Sequence, residues 1–195
     1  QVIKMKHALK LGLFLLSVCA LIGWGVSQAN SLTEPLILEA AKRAQEEGFK
    51  EVFPTADEFK GETEKYLLEA DNSVIKEVYV AYLSGEPTGV IYIVEPKGYG
   101  GAIQTLVGFD LAEKVITNIK VLSHSETPGL GDKVTEPWFV QRFQQKSAAQ
   151  DLEVVKHAPQ EENQVEAITA ATITTDAVTS GVNAARAHFV ENFLD

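Results

Sequence analysis

Residues 11–26 read LGLFLLSVCALIGWGV, sixteen positions without a charge. No other stretch constrains the fold as strongly, because such a run needs an apolar surrounding along its whole length. Ala8, Leu9 and residues 27–29, with Lys10 able to snorkel, extend it to roughly the 20 residues a helix needs to cross a hydrocarbon core. Trp24 stands near the far end, where an indole favours the headgroup level. Lys4, Lys6 and Lys10 lie in residues 1–30 with no acid among them. The positive-inside rule then predicts a cytoplasmic N-terminus and an extracytoplasmic remainder. A removable leader ending near Ser27, Gln28 and Ala29 is the competing reading. The sequence favours a retained single-pass anchor over residues 1–30 and an extracytoplasmic domain over residues 31–195. Cys19 is then an apolar helix residue.

Charge narrows what that domain can bind. Beyond residue 30 the chain carries 14 basic and 27 acidic side chains, a net −13. It has no basic field to displace phosphate counterions, so nucleic acid is excluded as a partner. One cysteine rules out an internal disulfide, a four-cysteine zinc site and a self-contained iron–sulfur cluster. His7, His124, His157 and His188 are scattered, and no metal centre is expected.

The domain reads as α+β. A polar step at residues 30–35 precedes a helical pattern over 36–47 that ends at Gly48. Residues 49–60, with Pro54, read as irregular. Residues 74–83 (VIKEVYVAYL) and 90–95 (VIYIVE) predict two strands around turn chemistry at 84–89. Residues 103–109 and 115–123 predict a second hairpin, turning near Ala112 and Glu113. A short helix is expected over 138–145 after Pro137, and a short strand over 152–156. A last helix should begin at 174–176 and run to about Phe193. Consecutive hairpins flanked by helices predict an antiparallel sheet rather than a doubly wound one.

Three segments carry the chemistry. Residues 98–101 (GYGG) offer three glycines that permit positive φ and close approach of the backbone to a flat ligand. They lack the spacing of a dinucleotide fingerprint, and taken alone they suit a plain turn. Residues 125–132 (SETPGLGD) present backbone donors, a carboxylate, a hydroxyl and an exposed leucine, a set that suits a heteroaromatic ring. A surface loop with a Pro-Gly turn has the same composition, and the adjacent His124 suits a structural role. Residues 166–176 (EAITAATITTD) place four threonines before the last helix, whose N-terminus favours a phosphate. Thr174, Thr175 or Asp176 could equally be a helix cap.

Together, GYGGAIQTLVGFD, HSETPGLGDKV and EAITAATITTDAV resemble the signature segments of the FMN-binding domain family. The spelling is more similar to the G-subunit branch of Rnf-type ion-translocating electron-transport complexes than to the C-subunit branch of the sodium-translocating NADH:quinone reductases. The resemblance covers essentially the whole chain, anchor included. A membrane-tethered module that binds an anionic ligand without redox work is the reading from a different class.

The resemblance implies covalent FMN, attached through its phosphate to a threonine in a motif of the form Asp-x-x-Ser/Thr-Gly-Ala-Thr. Laid on this chain, the acceptor falls on Thr172, the upstream hydroxyl on Thr169 and the alanine on Ala171. Glu166 stands where the motif has Asp, and Ala170 where it has Gly. The resemblance further implies that Thr169, Thr174 and Thr175 hydrogen-bond the phosphate. Glu126, Thr127, Gly129 and Leu130 would contact the ring or ribityl chain, with Tyr99, Gly100 and Gly101 on the other side. It implies no catalytic residue and no metal, but an electron-carrying subunit of a ferredoxin:NAD oxidoreductase in the cell's inner (plasma) membrane. Its partners would be other membrane and peripheral subunits, another flavin-carrying membrane subunit and iron–sulfur subunits among them, and a flavin transferase for maturation.

Overall fold

The apolar run opens a helix, α1 (Val2–Val52), that continues past the predicted stop. The polar step at 30–35 does not break it. That stretch contains no glycine, and two hydroxyls fold back onto the helix: Ser31 Oγ donates to Gln28 O at 2.9 Å and Thr33 Oγ1 to Ala29 O at 3.0 Å. Pro35 sits inside the helix, where it removes one backbone donor. Gly48 is helical as well, because its bare Cα serves packing: a Cβ there would stand 2.6 Å from Leu106 Cδ1. The computed structural model describes residues 2–67 and 74–194, without the side chains of 2–6 and 8, so the charges of Lys4 and Lys6 lie outside the description.

The described residues form two compact units that divide between Ala44 and Gln45. In the first, α1 exposes Leu11, Phe14, Leu15, Leu21 and Trp24. The helix from Leu9 onward is long and apolar enough to cross a bilayer, with an 18-residue window of mean hydropathy 2.0.

The second unit is built on a five-stranded antiparallel sheet: β1 (Glu58–Gly61), β2 (Ile75–Leu83), β3 (Glu86–Val94), β4 (Gln104–Asp110) and β5 (Ile116–Ser123), in that order. Residues 49–60 are therefore not wholly irregular. They hold the end of α1 and the start of β1, a four-residue edge strand made by its pairing with β2. A short helix α2 (Thr63–Tyr66) precedes β2.

Central strand β3 explains its own unbroken apolar run. Val90, Tyr92 and Val94 face one core cluster, while Ile91 and Ile93 face the other, so both sides of the pleat are buried. On the second face, the end of α1 beds Val52 and Phe53 into bare spots left by Gly108 and Gly89, where a Cβ would meet those side chains at 2.3 and 2.1 Å.

On the first face lies the last helix, α4 (Thr172–Phe193), which begins two residues earlier than predicted. Val178, Val182, Ala185 and Phe189 enter the core, and Phe189 stacks on Phe109 with ring centroids 4.7 Å apart. His188 fastens α4 further, accepting from the Tyr92 hydroxyl at Nδ1 and donating from Nε2 to Tyr66 O, each at 3.1 Å. Between sheet and helix the chain makes a 3₁₀ turn (Gly131–Thr135), α3 (Pro137–Val140) and two short parallel strands, β6 (Glu153–Val155) and β7 (Gln164–Glu166). The predicted helix over 138–145 is thus shorter, and β7 was not anticipated.

Candidate cofactor site

Three loops meet at the N-terminus of α4. The first runs between β3 and β4, where Gly98 N–H donates to Gly101 O at 2.7 Å. None of its three glycines has positive φ; among glycines only Gly85 and Gly129 do. Their role is close approach, though to another loop. A Cβ on Gly100 would stand 2.0 Å from Ser125 O, and one on Gly98 would stand 2.5 Å from Glu126 Oε1.

Glu126 ties the loops together. Its side chain is buried, yet its carboxylate lines a cleft. Oε1 accepts the Gly100 N–H at 2.8 Å, and Oε2 accepts the Thr174 hydroxyl at 2.5 Å. Its own N–H donates to His124 Nδ1 at 3.2 Å, so His124 is a structural acceptor. A Cβ on Gly131 would meet Glu126 Oε2 at 2.7 Å and Thr174 Oγ1 at 2.8 Å, which requires glycine there.

The third loop enters α4 through Ala170, at φ 64, and Ala171, the N-cap, which has no side chain to bond the helix end. Left-handed backbone at an L residue costs about 1–2 kcal/mol, so this turn is strained. The first intrahelical bond runs from Thr175 N–H to Ala171 O at 3.1 Å. The N–H groups of Thr172, Ile173 and Thr174 precede it and lie at the positive end of the helix dipole. Among the described residues no lysine or arginine lines the cleft, so this helix end is its source of positive potential.

The threonine hydroxyls have distinct fates. Thr175 Oγ1 donates to Ala171 O at 3.1 Å and accepts from Ile168 N–H at 3.0 Å, a closed bracket beneath the turn. Thr174 is held by Glu126. Thr169 is exposed and does not line the cleft. Thr172 is half-buried, lines the cleft, and has no hydroxyl partner among the described residues.

The cleft holds about 550 Å³, within the roughly 300–1,000 Å³ usual for small-molecule sites. Tyr99, Leu130 and Ile173, all exposed apolar side chains, form its walls. Thr127, Gly131, Ala170 and Ala171 complete the lining. Of the residues expected from sequence, Gly100 supports the cleft from behind, and Gly101 and Gly129 do not line it. Gly131 and Ile173 were not foreseen as site residues. Ile173 enters the first turn of α4 because the helix begins two residues before the start the sequence suggests.

A family model described as an FMN-binding domain matches residues 98–187, which contain all three loops. The G subunit of the Na⁺-translocating ferredoxin:NAD⁺ oxidoreductase complex of Acetobacterium woodii is 36% identical over 190 residues, 93% of this chain and 91% of that protein. The chain belongs to this FMN-binding domain family. The G subunit of the proton-translocating ferredoxin:NAD⁺ oxidoreductase complex of Clostridium ljungdahlii is 32% identical, over 86% of this chain and 83% of its own. Its counterpart in the ion-translocating oxidoreductase complex of Pseudomonas aeruginosa is 31% identical, with 96% and 89% covered. The fold is also that of the C subunit of the Na⁺-translocating NADH-quinone reductase of Parabacteroides distasonis, at TM-score 0.57 and 22% identity over 72% of this chain and 79% of that one. Shewanella oneidensis NqrC matches at TM-score 0.52 and 22% identity, over 73% and 71%.

FMN suits the site by its chemistry. Uncapped N–H groups and a helix dipole match a phosphate, apolar walls match an isoalloxazine ring, and the Thr172 side chain lines the same cleft.

Proposed function

We propose that the chain is a membrane-anchored flavoprotein subunit of an Rnf-type, ion-translocating ferredoxin:NAD oxidoreductase, carrying FMN as a phosphoester on Thr172. Among the four threonines of residues 166–176, the occupancy of the hydroxyls carries the choice of acceptor: Thr174 and Thr175 are engaged, Thr169 lies outside the cleft, and Thr172 is free within it. The phosphate would lie against the N–H groups that open α4, and Tyr99, Leu130 and Ile173 would cover the ring. Bound FMN supplies the redox chemistry. The chain's own residues bind and orient it, and keep water from one face. With no basic side chain in the cleft among the described residues, a dissociable FMN would be held weakly, which is a reason for a covalent bond.

The G subunits at 31–36% identity favour the Rnf-type assembly over the NADH:quinone reductase, whose C subunit shares the fold at 22%. Partners on this reading are the other membrane and peripheral subunits of that complex, another flavin-carrying membrane subunit and iron–sulfur subunits among them, and a flavin transferase. Residues 1–30 anchor the chain in the inner (plasma) membrane with the N-terminus inside, and residues 31–195 face outward.

Two measurements test this. The purified chain should absorb in the visible flavin bands and bleach on reduction; a colourless chain made alongside its transferase would favour a non-redox binding module. For topology, Cys19 is replaced by Ser and a cysteine placed at Gly85, an exposed turn glycine. An impermeant thiol reagent should label intact spheroplasts, and labelling only after lysis would reverse the orientation.

A further inference from the structure

Arg142 follows α3 and reaches Glu166, the last residue of β7, with both terminal nitrogens. Nη1 donates to the Glu166 main-chain carbonyl, while Nη2 lies 3.1 Å from the carboxylate Oε2. The guanidinium also sits 4.7 Å from the ring centroid of Trp138. One planar cation thus fixes both the backbone and the rotamer of Glu166, a task suited to the rigid fork of arginine.

Glu166 is the root of the segment that leads to Thr172. Next along, Ala167 N–H donates to Val155 O at 2.7 Å and Ile168 N–H to Thr175 Oγ1 at 3.0 Å. Thr169 and Ala170 are then exposed, and Ala170 takes the left-handed conformation at φ 64. A turn under such strain keeps its course only when the structure on both sides fixes it. The Ala171 N–H donates to Ile168 O at 2.9 Å across the turn, the first turn of α4 secures one side, and Arg142 secures the root of the other.

We propose that Arg142 is a positioning residue for flavin attachment: by clamping Glu166 it maintains the strained turn at Ala170 and so the aim of the Thr172 hydroxyl. This rests on the reading of Thr172 as the acceptor. Arg142 itself touches no cofactor. Free FMN would have to expel water to form the ester, so the donor must be activated, as in a flavin adenine dinucleotide. The Thr172 Oγ–P bond then forms, the pyrophosphate P–O bond breaks, adenosine monophosphate leaves, and the hydroxyl proton departs with it. No electrons are exchanged.

The test uses the full-length chain, purified without flavin and incubated with flavin adenine dinucleotide and a flavin transferase well below every variant's unfolding temperature. Denaturation-resistant flavin fluorescence is followed in time. Arg142→Gln should lower the initial rate about tenfold, the worth of a charge-assisted clamp. Arg142→Lys should fall between, since one ammonium cannot reproduce the fork. Ala170→Gly added to Arg142→Gln should restore the rate, because glycine adopts positive φ without strain. A parental rate in Arg142→Gln, or a defect that Ala170→Gly leaves in place, overturns the proposal. If Arg142→Gln does not fold, Glu166→Gln, which keeps the main-chain bond, must itself lower the rate and be relieved by Ala170→Gly, or the proposal fails. A parent that takes no flavin overturns the reading of Thr172 as well. A flavinylated parent with a normal Arg142→Gln overturns the positioning role alone.

Discussion

The Thr174 hydroxyl lies 2.5 Å from Oε2 of Glu126, a bond between residues 48 apart that closes the floor of the cleft. The other carboxylate oxygen accepts the Gly100 N–H, so one buried side chain joins the loop after β3, the loop after β5 and the start of α4. The site therefore stands assembled by the protein's own bonds, and the cofactor need not organise it. The core of sheet and helices gives the same expectation for the domain as a whole, which should fold without flavin.

Removing that carboxylate measures its worth. Glu126→Ala leaves the Gly100 N–H and the Thr174 hydroxyl without their partner in a buried place, at about 1–3 kcal/mol for each group left unsatisfied. We expect a loss of about 3 kcal/mol in urea unfolding of flavin-free protein. Glu126→Gln keeps the volume and can still accept from Gly100, so it should lose less. An unchanged midpoint in Glu126→Ala would show that the loops are held by other contacts.

Ala170→Gly should stabilise the chain, because its φ of 64 suits glycine. Relief of about 1–2 kcal/mol of left-handed strain exceeds the roughly 0.5–1 kcal/mol that glycine's freedom costs in the unfolded state. A rise of a few degrees in thermal midpoint is expected, and a fall would mean that the turn carries no strain.

At alkaline pH the sheet should weaken through Tyr79. Burial, aided by its hydrogen bond to Glu77, pushes this phenol from 10.0 up to about 12. The folded state holds the proton more tightly, so its contribution is full below pH 10 and is lost as pH rises through about 12. Urea midpoints measured from pH 9 upward should decline less in Tyr79→Phe than in the parent. Identical declines would remove Tyr79 as a source.

Much of the fold is legible in the sequence where burial is one-dimensional. The apolar run of α1 identifies itself by its length without a charge, and the VIYIV run of β3 because both of its faces are buried. What was missed depends on partners far along the chain. β1 and β7 are short strands defined by pairing with β2 and β6, and Gly48 looks like a helix stop until Leu106 is seen against it. At the site, the three segments were visible as motifs, but the fate of each threonine was not. Thr174 and Thr175 are spelled alike, yet one is bonded to Glu126 and the other to its own turn. The glycines at 98–101 suit either a plain turn or close approach to a ligand, and they make room for Ser125 and Glu126.

The central claim is chemical, and a mass decides it. Full-length chain purified from membranes that contain its flavin transferase is denatured, weighed intact and mapped by peptide. The parent should carry the mass of FMN less one water, localised to Thr172. Thr172→Ser should retain part of that increment, because a hydroxyl remains. Thr172→Val should lose it entirely while unfolding at the parental temperature. A full increment on Thr172→Val, or a modified peptide that lacks residue 172, would contradict the account.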